Sequence, residues 1–103
     1  MTNTTKDRLV SMCEFIENEL IENIENGTLY NYICECLDIE FISNSRRELL
    51  GGEVLVTFGG PNIWIDTRNR QIQAVWSSDS FYLPLDNNVV NELNNILEEF
   101  YNL

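Results

Sequence analysis

Leu9, Met12, Cys13, Ile16, Leu20 and Ile24 recur at steps of three and four residues, which predicts an amphipathic helix near the start of the chain. Thr4 followed by Asp7 has the spacing of a capping box, and Asn26-Gly27 supplies a stop. Glu14, Glu17, Glu22 and Glu25 project away from the apolar stripe. A shorter helix is predicted from Thr28 to about Cys36, with Leu29, Tyr32, Ile33 and Cys36 inward.

Alternation then replaces the helical period. Leu37, Ile39 and Phe41 form one face of a first strand, and Val54, Val56 and Phe58 one face of a second. Ile63 and Ile65 do so in a third, and Ile72, Ala74 and Trp76 in a fourth. Gly59-Gly60-Pro61-Asn62 turns the second strand into the third, and Thr67-Arg68-Asn69-Arg70 turns the third into the fourth. Pairing Phe58 with Ile63 and Val56 with Ile65, then Ile65 with Ile72 and Ile63 with Ala74, keeps every apolar set on one face. The connector from Ser77 to Pro84, with Phe81 and Leu83, is a candidate for a short edge strand.

A last amphipathic helix follows. Asp86 is its expected N-cap, Leu85 and Val90 have staple spacing, and Val89, Val90, Leu93, Ile96, Leu97 and Phe100 form its stripe. The expected class is α+β. An antiparallel sheet of about four strands carries two N-terminal helices and one C-terminal helix on one face. At 103 residues the chain has room for one domain, 1–103.

Composition changes the picture mainly through charge. Six basic residues against seventeen acidic ones give a net −11, with no histidine. The excess is uneven: residues 1–40 carry two basic and nine acidic groups, 41–80 four of each, and 81–103 none and four. Net charge bears on partners and steering. Nucleic acid is therefore disfavoured as a direct ligand, and a partner with a basic surface is favoured. No apolar run approaches the roughly 18 residues of a membrane span, and no signal-peptide pattern opens the sequence. Cys13, Cys34 and Cys36 cannot all pair internally, so free thiols in a cytoplasmic setting are expected.

The absence of histidine removes Ser-His, Cys-His and zinc-histidine chemistry. Cys34 and Cys36 diverge by about 200° on a helix and read as small apolar residues, so no metal and no cofactor is expected. Asp66, Glu53, Glu48, Glu40 and Asp79 supply carboxylates near the sheet without fixing an acid–base pair. Gly51-Gly52 and Gly59-Gly60 lack the spacing and lysine of a phosphate loop. No catalytic residues are assigned, and the chain reads as a binding protein. The sheet face away from the helices would present Asp38, Glu40, Leu55, Thr57, Trp64, Asp66, Gln71, Gln73 and Val75, with Trp64 between Thr57 and Gln73. A tryptophan in polar surroundings is a candidate interface anchor. The candidate partner-binding residues are Trp64, Asp66, Leu55, Thr57 and Gln73 on the sheet, with Glu14, Glu17 and Glu22 on the first helix.

From Gly59-Gly60-Pro61-Asn62-Ile63-Trp64-Ile65-Asp66-Thr67-Arg68 to the strand ending in Val75-Trp76, the chain resembles a family of small proteins carried by bacteriophages and mobile elements. They share a Gly-Gly-Pro-Asn-Ile-aromatic-aliphatic-Asp-Thr hairpin, a second aromatic strand and a C-terminal acidic helix. The resemblance spans about residues 37–102. It implies an inhibitor of host defence, of the anti-CRISPR kind, and assigns no functional residues. Joined to the charge, it suggests an acidic domain that occupies a basic nucleic-acid-binding channel of a host protein or ribonucleoprotein complex, its carboxylates replacing phosphates. Two alternatives stand beside it. One is an interaction module that uses the open sheet face without mimicry; the other is a small enzyme acting on a nucleotide or signalling molecule.

Overall fold

The computed structural model describes residues 4–103. Residues 1–3, on which the expectation of no export signal partly falls, lie outside the described residues. The first helix, α1 (Thr5–Asn26), opens on the expected capping box: Asp7 N–H donates to Thr4 Oγ1 at 3.0 Å and Thr4 N–H to Asp7 Oδ2 at 3.2 Å. Gly27 ends it in the left-handed region at φ 71°, and Thr28 N–H returns to the Asn23 carbonyl at 2.9 Å. The short α2 (Leu29–Cys34) follows at once. Five strands come next: β1 (Asp38–Ser43), β2 (Leu49–Thr57), β3 (Asn62–Asp66), β4 (Gln71–Trp76) and β5 (Asp79–Pro84). The chain then enters α3 (Asn87–Tyr101).

The fold is α+β, with an open antiparallel sheet in the order β1-β2-β3-β4-β5. Its fifth strand forms from the Ser77–Pro84 connector, where Phe81 and Leu83 pair with Ala74 and Ile72. α1 packs against β4 and β5, and α3 against β2. One buried cluster joins Leu9, Cys13, Ile16 and Leu20 of α1 and Leu93 and Leu97 of α3 to Val54, Ile63, Ile65, Ile72 and Ala74 of the sheet. The shortest dimension of the molecule is 23 Å. That matches one helix layer on one sheet layer, each about 10 Å thick, among the described residues.

The β3–β4 register is the one expected, with Ile65 opposite Ile72 and Ile63 opposite Ala74. The β2–β3 register is not. Val54, rather than Val56, faces Ile65; Leu55 faces Trp64; and Thr57, rather than Phe58, faces Ile63. A bulge between Leu55 and Thr57 takes up the extra residue. Two side chains close the loop early. Thr57 Oγ1 donates to the Pro61 carbonyl at 2.8 Å, and Gly59 N–H donates to Asn62 Oδ1 at 3.0 Å. Phe58 is thereby expelled from the strand and is 72% exposed.

One smaller expectation also fails, and two hold only in part. Leu37 lies just outside β1 and is 61% exposed rather than inward. Asp86 is the N-cap of α3 by position, but its side chain makes no capping hydrogen bond. Phe41 faces the helix side only at its margin, exposed and tilted against Tyr101 at 5.3 Å. Gly52, on that same row, lets α3 come close. A Cβ there would sit 2.8 Å from the Glu40 carbonyl oxygen and 3.2 Å from Leu97 Cδ1.

Candidate functional site

Strand alternation sends Ile63 and Ile65 into the core, so Trp64 points to the other face. Cross-strand pairing places it in a row running Asp38, Leu55, Trp64, Gln73 and Tyr82 over all five strands. Strand spacing makes that row about 19 Å long. Trp64, Leu55 and Gln73 are half-buried, while Asp38 and Tyr82 are exposed. Val75 is exposed beside them. Leu55 therefore takes the place beside Trp64 that was expected for Thr57. Thr57 turns toward α1 and, with Val56 and Met12, lines an apolar groove of about 330 Å³.

The next row is acidic: Glu40, Glu53 and Asp66 face one another across β1, β2 and β3. Like charges directly opposite on a sheet repel. Burial, together with the charges of Asp66 and Glu40, pushes the Glu53 carboxyl above its ordinary value of 4.5. Among the described residues the only ion pair is Arg46 with Glu48, at 4.0 Å, so no cation offsets this row.

Asp66 is corrected by the structure. It was expected at a partner-binding surface, yet it is completely buried. Its carboxylate accepts from Asn69 N–H at 3.0 Å, Asn69 Nδ2 at 2.7 Å and Gln73 Nε2 at 2.7 Å. Asp66 thus closes the β3–β4 turn, and Gln73 has part of its hydrogen-bonding capacity committed to it. An aspartate followed three residues later by asparagine in a turn segment was the available signal.

The structure separates the candidate residues into two sets. Trp64, Leu55, Gln73 and the buried Asp66 share the sheet face. Glu14 and Glu22 are exposed on α1 and Glu17 is half-buried there, on the layer covering the other face. A flat interface reaches one set or the other, never both. Tyr82 was missed, although the inward Phe81 and Leu83 on either side of it imply its outward position.

The remaining chemistry is sparse. Cys13 is buried, Cys36 half-buried and Cys34 exposed, all as free thiols. Burial, then the nearby Glu14, raises the Cys13 thiol to about 11. Burial, then Glu19 and Glu35, raises Cys36 to about 11, so both stay protonated and unreactive near neutral pH. Gly51-Gly52 lies within β2, not in a loop at a helix start. No group of three potential metal ligands comes together among the described residues, and no helix there is long and apolar enough to cross a membrane. No known protein family, curated protein or solved structure matches the chain.

Proposed function

We propose that the chain is a non-catalytic binding protein whose open sheet face docks on a basic surface of a macromolecular partner, with Trp64 as the anchor. One observation carries the reading: a half-buried tryptophan lies beside Glu40 and Glu53, whose charges face each other and the buried Asp66 with no cation to offset them among the described residues. An aromatic anchor with charged neighbours has the composition of an interface centre and its rim. Lysines or arginines of a partner would relieve the repulsion that the chain leaves in place.

The resemblance of the Gly59–Arg68 hairpin to phage-borne proteins extends the proposal. The partner is then a defence protein or ribonucleoprotein of the bacterial host, met in the cytoplasm, and the bound chain keeps nucleic acid from its basic channel. Charge supports this extension, since the Glu14, Glu17 and Glu22 side of α1 offers a second acidic surface. A channel that encloses the protein would engage both surfaces at once. A flat contact would use only the sheet.

The test measures binding to a partner recovered from host lysate, first for the intact chain and then for two variants. Trp64→Ala is expected to weaken binding about 30-fold or more, the scale of a central hot spot. The Glu14→Gln, Glu17→Gln, Glu22→Gln triple variant distinguishes the modes. Loss in both variants, with steep salt dependence, supports channel filling. Loss in Trp64→Ala alone supports flat docking without mimicry. Full binding by a folded Trp64→Ala overturns the proposal.

A further inference from the structure

The sheet is open, so β1 and β5 each leave one side without a strand neighbour. Such an edge presents unpaired N–H and C=O groups on alternate residues and can take up a further strand. Hydrogen bonds deeper in the sheet identify those residues on β1. Gly52 turns toward β3, where its N–H donates to Thr67 Oγ1 and its C=O accepts from Thr67 N–H, both at 3.0 Å. Phe41 lies opposite Gly52, and Ile39 opposite Val54, so Phe41 and Ile39 direct their backbone groups out of the sheet. No backbone hydrogen bond from a loop or helix reaches them among the described residues. β5 is less open. Leu85 N–H donates to the Arg70 carbonyl at 2.8 Å, which turns Ser80, Tyr82 and Pro84 outward, and Pro84 has no N–H to offer.

The side chains along the β1 edge impose a pattern on any strand added there. Asp38 and Glu40 are exposed on the open face, and Glu53 faces Glu40 from β2. Ile39 and Phe41 lie on the opposite face, where Phe41 packs on Tyr101 at 5.3 Å and the exposed Leu37 adjoins them. Residues paired across strands share a face, so the added strand meets carboxylates on one side and apolar groups on the other. A second copy of β1 does not fit. Antiparallel pairing of two such edges would bring Asp38 and Glu40 of both copies onto one face, between chains that each carry a net −11.

We propose that the β1 edge binds an extended segment of a partner protein in which lysine or arginine alternates with apolar residues, added as an antiparallel sixth strand. Main-chain hydrogen bonds to Ile39 and Phe41 supply the affinity, Asp38 and Glu40 select the cationic residues, and Phe41 and Leu37 meet the apolar ones. The added strand would extend the open face beyond Asp38, at the end of the row that contains Trp64. The inference deepens the sheet-face reading and rests on it for a basic partner.

Titration of the intact chain with an end-blocked Lys-Val-Lys-Val-Lys-Val-Lys peptide, followed by nuclear magnetic resonance, tests the proposal. Saturation with a Kd below about 1 mM is expected. At about ten times that concentration, amide exchange at Ile39 and Phe41 should slow about tenfold, because exchange then proceeds from the free fraction. A peptide of the same composition with its lysines and valines in separate blocks should bind about tenfold weaker or worse, as should one with glutamate in place of lysine. In antiparallel addition the valine N–H groups face β1 and the lysine N–H groups face solvent. N-methylation of the valines should therefore abolish binding, and N-methylation of the lysines should spare it. Asp38→Asn with Glu40→Gln should lose about tenfold, with the melting temperature kept because both side chains are exposed. The proposal is overturned if the alternating peptide does not saturate by about 10 mM, if the block peptide binds as tightly, if valine N-methylation is tolerated, or if exchange at Ile39 and Phe41 is unchanged at saturation. The sheet-face reading fails by a different result, full partner binding in a folded Trp64→Ala, so the two failures are told apart.

Discussion

The two faces of β3 bury side chains by different means. Ile63 and Ile65 are buried within the apolar cluster that the sheet shares with α1 and α3. On the other face no layer covers the strand, yet Asp66 is as completely buried as Ile65. A hydrogen-bonded cap of Asn69 and Gln73 encloses the carboxylate, while Trp64, two residues away, keeps part of its ring in solvent. Alternation decides which side a residue takes. What lies on that side decides whether it is buried, and on the open face the cover is made of neighbouring side chains.

Adjacent truncations give the largest test of this contrast. Ile65→Ala deletes a fully buried side chain between the sheet and the helices and is expected to cost about 2–5 kcal/mol of folding free energy. Trp64→Ala removes a larger ring but opens no closed cavity, and is expected to cost roughly half as much. Urea denaturation of both variants measures the difference. A Trp64→Ala cost equal to or above that of Ile65→Ala would show that the open face is a second core rather than a surface.

Much of this architecture is legible in the residues themselves. The β3–β4 register follows from one tight turn and from Ile63, Ile65, Ile72 and Ala74, because a slip by one position would expose every apolar side chain. The hairpin before it is harder to read, because Val54, Val56 and Phe58 alternate as though all three belonged to the strand. The Thr57 and Asn62 side chains instead close the loop around the Gly59–Pro61 segment, which forces the bulge and releases Phe58. Such side-chain-to-backbone bonds compete with strand pairing on nearly equal terms, and apolar periodicity does not register them. The site was legible to the same degree. Trp64 and Leu55 follow from alternation, the bulge turns Thr57 to the other side, and the turn position of Asp66 outweighs its charge.

A middle-sized effect should come from the polar cap on the open face. Asp66→Ala leaves Asn69 N–H, Asn69 Nδ2 and Gln73 Nε2 without their acceptor, which should cost about 1–3 kcal/mol in urea denaturation. Asp66→Asn keeps one acceptor oxygen and should cost less. If Asp66→Ala is neutral, the aspartate is not held by these donors, and its burial needs another cause.

The smallest effect isolates electrostatics on the same face. Glu53 is flanked by Glu40 and Asp66 across the sheet, and burial and these charges raise its carboxyl above 4.5 in the folded chain. Between that ordinary value and the raised one, the folded state holds more proton than the unfolded state. Stability therefore falls as pH rises through this window and levels off above it. Glu53→Gln removes the charge while keeping the side chain's length. It should remove this part of the fall and stabilise the protein at neutral pH by about 0.2–1 kcal/mol, the scale of a cross-strand charge pair. Melting temperatures taken from pH 4.5 to about pH 7 compare the two curves over the window in which the linkage acts. They should converge at the acid end and separate toward neutrality. Parallel curves would mean that solvent screens the row completely. The carboxylates of the open face would then cost the free chain nothing, and a basic partner would find no repulsion there to relieve.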